Sequence, residues 1–137
     1  PVKQQQRAYL FFSFTYNNNN FFIPFRSNIK NCSFPLPTTN RPNAGLDYRK
    51  MLIINNLNYI VPTKHPNIPN SQLHKINNNK HLIKQQVINY INGYIKAFKK
   101  NRHTLDSRFK YSTLHNYHKE LCLLNNNINN IVTFFGN

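Results

Sequence analysis

The sequence predicts a small α+β protein: an N-terminal aromatic hairpin, an extended basic Pro-rich segment and a C-terminal helical hairpin. Three observations predict it. Aromatic residues cluster with partial alternation before an Asn run. Prolines and cations without sustained periodicity follow. The last part then shows apolar residues at helical spacing. These parts divide the chain at 1–25, 26–70 and 71–137. A length of 137 residues is one structural domain overall.

Residues 7–16 read as a strand, 17–20 as a turn and 21–25 as a returning strand. Pro24 lacks a backbone donor, which predicts an edge position for that second strand. Plain core packing of the aromatics is favoured over a base-stacking platform, which would need an exposed aromatic surface. The stretch 26–50 carries Pro35, Pro37 and Pro42 among Arg26, Lys30, Arg41, Arg49 and Lys50. It is expected to be extended and to lack order alone, because so little apolar surface cannot offset its chain entropy. Within 51–61 a strand is expected at 57–61. Pro62, Pro66 and Pro69 then impose a second loop, which holds Lys64 and His65.

Ser71 is the expected N-cap of the helical part. The clearest helix covers 80–100, where Ile83, Val87, Tyr90, Ile91, Tyr94, Ile95 and Phe98 make one apolar stripe. Gly93 weakens it and marks close packing. A second helix is expected from Ser112 or Thr113. Leu114, Tyr117, Leu121, Leu124, Ile128 and Ile131 follow the spacing of a coiled-coil seam. Asn125, Asn126 and Asn127 lower its helix propensity. Pairing the two helices places Lys99, Lys100, Arg102, His103, Arg108 and Lys110 at the hairpin tip.

Charge narrows function more than fold does. There are 18 Lys+Arg against 3 Asp+Glu, a formal net charge of +15. Such an excess opposes compaction unless a polyanion neutralises it, and a phosphate backbone is the simplest one. The expected phosphate contacts are Arg26, Arg41, Arg49, Lys50, Lys96, Lys99, Lys100, Arg102, Arg108 and Lys110. Asn is the commonest residue, close to a fifth of the chain, while Ala, Gly and Val are scarce and Trp is absent. The favoured residues have A/T-rich codons, which points to a strongly A/T-biased genome such as an organelle's. Asn runs then read as drift in tolerant loops.

Catalysis has little to stand on. The acids are Asp47, Asp106 and Glu120, too few and too scattered for a metal nuclease or a paired-carboxylate hydrolase. There is no Gly-rich phosphate loop and no nucleophile elbow. His115, His118 and Cys122 would share one stripe of a helix, and with Cys32 they make a ligand set that zinc accepts. Paired CxxC-type spacings are missing, so packing is the adopted reading and no cofactor is expected. Two distant cysteines make no disulfide framework. No stretch approaches the roughly 20 apolar residues of a membrane-spanning helix.

One stretch resembles a known family. Asp47-Tyr48-Arg49-Lys50, then Ile53-Ile54 and Tyr59-Ile60-Val61-Pro62, with Lys84-Gln85-Gln86-Val87 further on, is similar to the bacterial-type small-subunit ribosomal protein numbered eighteen. The likeness spans roughly a third of the chain. It requires a deletion before Ile53 and an insertion after Pro62, and Asn, Ile and Tyr replace most of the family helix's arginines. A second echo joins Cys32, Thr38-Thr39 and Arg41-Pro42-Asn43-Ala44, which resemble the small-subunit protein numbered twelve, but the rest of that family's sequence is absent. The first resemblance implies a basic helical protein that binds small-subunit rRNA and neighbouring ribosomal proteins. With the charge and codon bias, it makes a structural constituent of a mitochondrial ribosome the leading expectation. The alternatives are a peripheral accessory subunit of a mitochondrial membrane complex, its basic face on anionic lipid, and an intron-type nucleic-acid-binding protein or nuclease remnant.

Overall fold

A computed structural model describes residues 10–60 and 68–123. Five strands form a curled antiparallel sheet: β1 (Phe11–Tyr16), β2 (Asn19–Arg26), β3 (Phe34–Pro35), β4 (Gly45–Leu46) and β5 (Leu52–Ile53). Two helices complete an α+β architecture, α1 (Asn70–Asn78) and α2 (Lys80–Lys99).

The β1–β2 connection is made by Asn17 and Asn18, with φ of 48° and 63°. Two successive positive φ values match the right-handed twist of the flanking strands, and Asn adopts that region more readily than most residues. Along the pair, Phe12 faces Ile23, Phe14 faces Phe21 and Tyr16 faces Asn19 on one side of the sheet. Phe21 and Ile23 are fully buried, and Phe14 stacks on Phe21 at 5.9 Å.

Contrary to expectation, β2 is no edge strand. It pairs with β1 on one side and with both β5 and β4 on the other. β5 lies opposite Phe21 and Phe22, and β4 opposite Phe25 and Arg26. Pro24 falls between the two, where its missing N–H interrupts no ladder, and its carbonyl accepts from Asp47 N at 3.1 Å.

The stretch 26–50 also departs from expectation. It contributes Ile29, Phe34, Leu36, Ala44, Leu46 and Tyr48 to the buried interior. Gly45 permits this, because a Cβ there would lie 2.3 Å from the Phe34 carbonyl oxygen. The strand expected at 57–61 is instead a 3₁₀ turn at Leu57–Tyr59, since the Asn56 side chain accepts from Asn58 N at 3.1 Å. Val61, the 62–66 loop and its Lys64 and His65 lie outside the described residues.

Pro69, not Ser71, precedes α1, and its carbonyl accepts from Gln72 N and Leu73 N. The buried Gln72 donates to Leu36 O at 2.6 Å and ties α1 to the sheet side. α2 buries Ile83, Val87, Ile91, Tyr94 and Ala97. These join Phe21, Ile23, Met51, Ile53 and Leu114 in one core cluster.

The second long helix does not begin where expected. Asn101, at φ 56°, ends α2 while Asn101 N reaches Phe98 O and Arg102 N reaches Ala97 O, a Schellman closure. Ser112 then caps a 3₁₀ turn, Thr113–Asn116, and Cys122 has φ 61°, which no continuous helix allows. Leu114 is buried, with Tyr117 and Leu121 half-buried against the core. Leu124, Asn125 to Asn127, Ile128 and Ile131 lie outside the described residues.

Candidate functional site

The expected phosphate ligands fall into three groups. The first surrounds Asp47, whose side chain is wholly buried. Its carboxylate accepts from Arg26 at 2.8 Å, from Arg49 Nε at 3.2 Å and from the Arg49 backbone N at 3.1 Å. Arg26 and Arg49 therefore spend donors internally, although each side chain stays about two-fifths exposed.

The second group is assembled across the chain. Lys50 Nζ donates to Tyr111 O at 2.8 Å, over a separation of 61 residues. Thr113 Oγ1 donates to Arg49 O and Met51 O from the same loop. Tyr90 Oη donates to Arg108 O at 3.2 Å and anchors the loop to α2. Lys110 lies 5.5 Å from the centre of the Tyr111 ring, which is 69% exposed. Arg108 forms a two-toothed pair with Asp106, Nη2–Oδ2 at 2.7 Å and Nε–Oδ1 at 3.1 Å. That bonding holds the Asp106 carboxyl down at about 2, first by the side-chain hydrogen bonds from Arg108 and then by the Arg108 backbone N–H.

The third group follows the end of α2. Lys96, Lys99, Lys100 and Arg102 are all exposed, and the Schellman closure turns the chain at Asn101 between them. No ion pair involves these four among the described residues. Arg41 stands apart in a tight exposed turn closed by reciprocal backbone bonds with Thr38. A single helical-hairpin tip therefore does not gather the cations. The Lys50 partnership and the exposed Tyr111 had no sequence signal, since both depend on a contact between distant loops.

The four-residue set His115, His118, Cys122 and Cys32, for which packing is the adopted reading, is not brought together among the described residues. Cys122 is exposed. Cys32 bonds to Ile29 O through its thiol, and burial pushes that thiol's pKa up. His115 and His118 do converge, but their companion is His103, and one ligand nitrogen from each lies within 4.8 Å of the others. The reason is the missing helix: turns, not a helical stripe, bring these rings together. Tyr94 Oη lies 2.8 Å from His115 Nδ1 and 2.6 Å from His118 Nε2. Burial lowers the pKa of His103 and of His118, and neighbouring histidines lower both further. Burial, then Tyr90, pushes Tyr94 up to about 12. At neutral pH the cluster thus offers two imidazoles biased to the neutral form and a protonated phenol.

Comparison with protein-family models, curated proteins and solved structures finds no match to this chain. No described helix is long and apolar enough to cross a membrane.

Proposed function

We propose that this protein is a structural, non-enzymatic constituent of a mitochondrial ribosome that binds rRNA and contacts neighbouring ribosomal proteins. The observation that carries the reading is the uncompensated charge. Of the three acids, Asp47 and Asp106 already serve Arg26, Arg49 and Arg108, and they leave Lys96, Lys99, Lys100 and Arg102 exposed without a carboxylate partner among the described residues. Four cations within seven positions exceed what a helix C-terminus needs, and phosphates are the ligands that would neutralise them. Lys50, Lys110 and the exposed Tyr111 add a surface where cations flank an aromatic face, the combination that holds unpaired bases and their backbone. In this reading the exposed turn around Arg41, between Pro37 and Pro42, reaches between RNA helices. The codon bias and the resemblance to the small-subunit protein numbered eighteen favour the organellar ribosome over other RNA partners.

Sedimentation of a mitochondrial lysate on a sucrose gradient, with the chain followed by mass spectrometry, tests the reading. Co-migration with one ribosomal subunit, lost after ribonuclease treatment, is the expected result. Migration with membrane complexes, unchanged by ribonuclease, would replace it with the lipid-facing accessory subunit.

A further inference from the structure

We propose that His103, His115 and His118 form a binding site for a divalent transition-metal ion, with zinc the best match, beside the hydroxyl of Tyr94. The inference does not depend on which polyanion the protein binds.

Four features of the cluster support it. First, the ligand nitrogens already converge within 4.8 Å, and three imidazoles are a donor set that zinc takes at about 2.0–2.1 Å, leaving one position open. Modest inward movement closes that gap. Second, His115 has the support expected of a ligand. Its Nε2 faces two carbonyl oxygens, Phe109 O at 2.8 Å and Lys110 O at 3.2 Å. Carbonyls only accept, so Nε2 carries the proton and Nδ1 presents its lone pair to the cluster. An outer carbonyl that fixes tautomer and ring angle is the usual companion of a metal-bound histidine.

Third, the hydrogen bonds within the cluster leave one atom out. Tyr94 Oη donates to His115 Nδ1 and accepts from a protonated His118 Nε2, so one hydroxyl serves both of those nitrogens. His103 Nδ1 is buried and has no hydrogen-bond partner among the described residues. Leaving a buried polar atom unpaired costs on the order of 1–3 kcal/mol, so its retention asks for another ligand. Fourth, the surroundings shield the site. The Phe98 ring lies 4.8 Å from His103 and 4.7 Å from His118, and Tyr94 contacts all three rings. An aromatic wall lowers the local dielectric and strengthens coordination.

The net charge of +15 opposes a further cation. Screening limits that cost, since the Debye length is about 8 Å at physiological ionic strength. The two carbonyls beside His115 direct partial negative charge at it.

Bound metal would close the 103–118 loop onto α2 through Tyr94, and that loop is built of short turns with one 3₁₀ helix at Thr113–Asn116. It would hold Lys110 and Tyr111 at a set distance from Lys99, Lys100 and Arg102. The site is therefore a structural clip on the basic surface.

The test uses the full chain, freed of metal by chelation and titrated with Zn²⁺ or Co²⁺. One equivalent is expected to bind, with the visible Co²⁺ absorption of a low-coordinate nitrogen-rich site and a higher thermal midpoint with Zn²⁺. His103→Gln, His115→Gln and His118→Gln should each weaken binding by more than the roughly 10–100-fold that follows loss of an outer-shell partner. His74→Gln and His81→Gln, on exposed positions of the two helices, should leave it unchanged. If a cluster variant fails to fold, X-ray absorption of the zinc-loaded wild-type chain decides instead, and three imidazole ligands are expected. Binding that survives the cluster substitutions in folded protein, no saturable binding at one equivalent, or fewer than three imidazoles on the metal would each overturn the proposal.

Discussion

Gly93 on α2 lies against the ring of Phe109: a Cβ at position 93 would stand 3.1 Å from Phe109 Cζ. Phe109 has little room to retreat, because it is buried and packs edge-on against Tyr90 at 5.2 Å and Tyr94 at 5.7 Å. Gly93→Ala removes a helix penalty of about 1 kcal/mol, and the crowded contact should cancel most of that gain. Gly93→Val should destabilise by roughly 2–4 kcal/mol, because it adds bulk that the ring cannot avoid. Urea denaturation checks both. A full 1 kcal/mol of stabilisation in the alanine variant would mean that the ring yields freely.

The buried Asp47 carboxylate joins β2, through Arg26, to the turn at Arg49. Asp47→Ala should cost about 2–4 kcal/mol, toward the lower end of what breaking a buried pair costs, since the two half-exposed arginines can rehydrate. Arg26→Ala should cost less than about 1.5 kcal/mol, because Arg49 still partners the carboxylate. Denaturant midpoints of the two variants give the comparison. Equal losses would show that the Arg26 bond carries the whole effect.

How far the sequence disclosed this arrangement depends on the range of the interactions. α2 was legible because its stripe is a local period, and every fully buried stripe residue from Ile83 to Tyr94 faces the core. Gly93 was legible as a point of close packing for the same reason. The sheet was only partly so. β3, β4 and β5 are two residues long, below any detectable alternation; β4 and β5 pair with the edge of β2 that β1 leaves open, and β3 pairs with β4. Asn19 shows the limit of reading Asn runs as drift. It is buried, donates to Glu120 O at 2.9 Å and accepts from Asn55 Nδ2 at 2.8 Å. The histidine cluster was half legible. The spacing of His115 and His118 is visible in the sequence, but turns carry them where a helix is expected from 112 or 113, Cys122 takes φ 61° and stays outside the cluster, and His103 joins from a loop that no spacing signals.

Asp106 gives a pH test. Its carboxyl is held at about 2, below its ordinary 3.8, chiefly by the Arg108 side chain. A depressed carboxylate contributes stability that is present above the unfolded value and is lost as pH falls through the folded one. The contribution should therefore disappear between about pH 4 and pH 2 and be small, as both groups are solvent-accessible. Carbon-detected NMR titration should place the Asp106 midpoint near 2, and Arg108→Ala should return it toward 3.8. An Asp106 midpoint already near 3.8 in the wild-type chain would dissolve the pair as a solution feature.

RNA binding, on the reading proposed above, should separate the three groups of cations by salt dependence. Each phosphate contact contributes roughly 0.7–0.9 to the slope of log affinity against log salt. Lys99→Ala, Lys100→Ala and Arg102→Ala together should flatten the slope by about two units or slightly more, because these exposed cations form no ion pair among the described residues. Lys50→Ala with Lys110→Ala should flatten it by about one and a half units, and Lys50→Ala also frees the Tyr111 carbonyl. Tyr111→Ala should weaken binding to single-stranded RNA by about 1–3 kcal/mol and leave the slope unchanged, as stacking releases no counterion. Arg26→Ala should do least, since its guanidinium already serves Asp47. Fluorescence anisotropy with a labelled rRNA fragment, from 50 to 300 mM salt, measures all four. A slope that the triple variant leaves intact would remove the end of α2 from the RNA surface, and a slope lost with Arg26 alone would move that surface to the sheet.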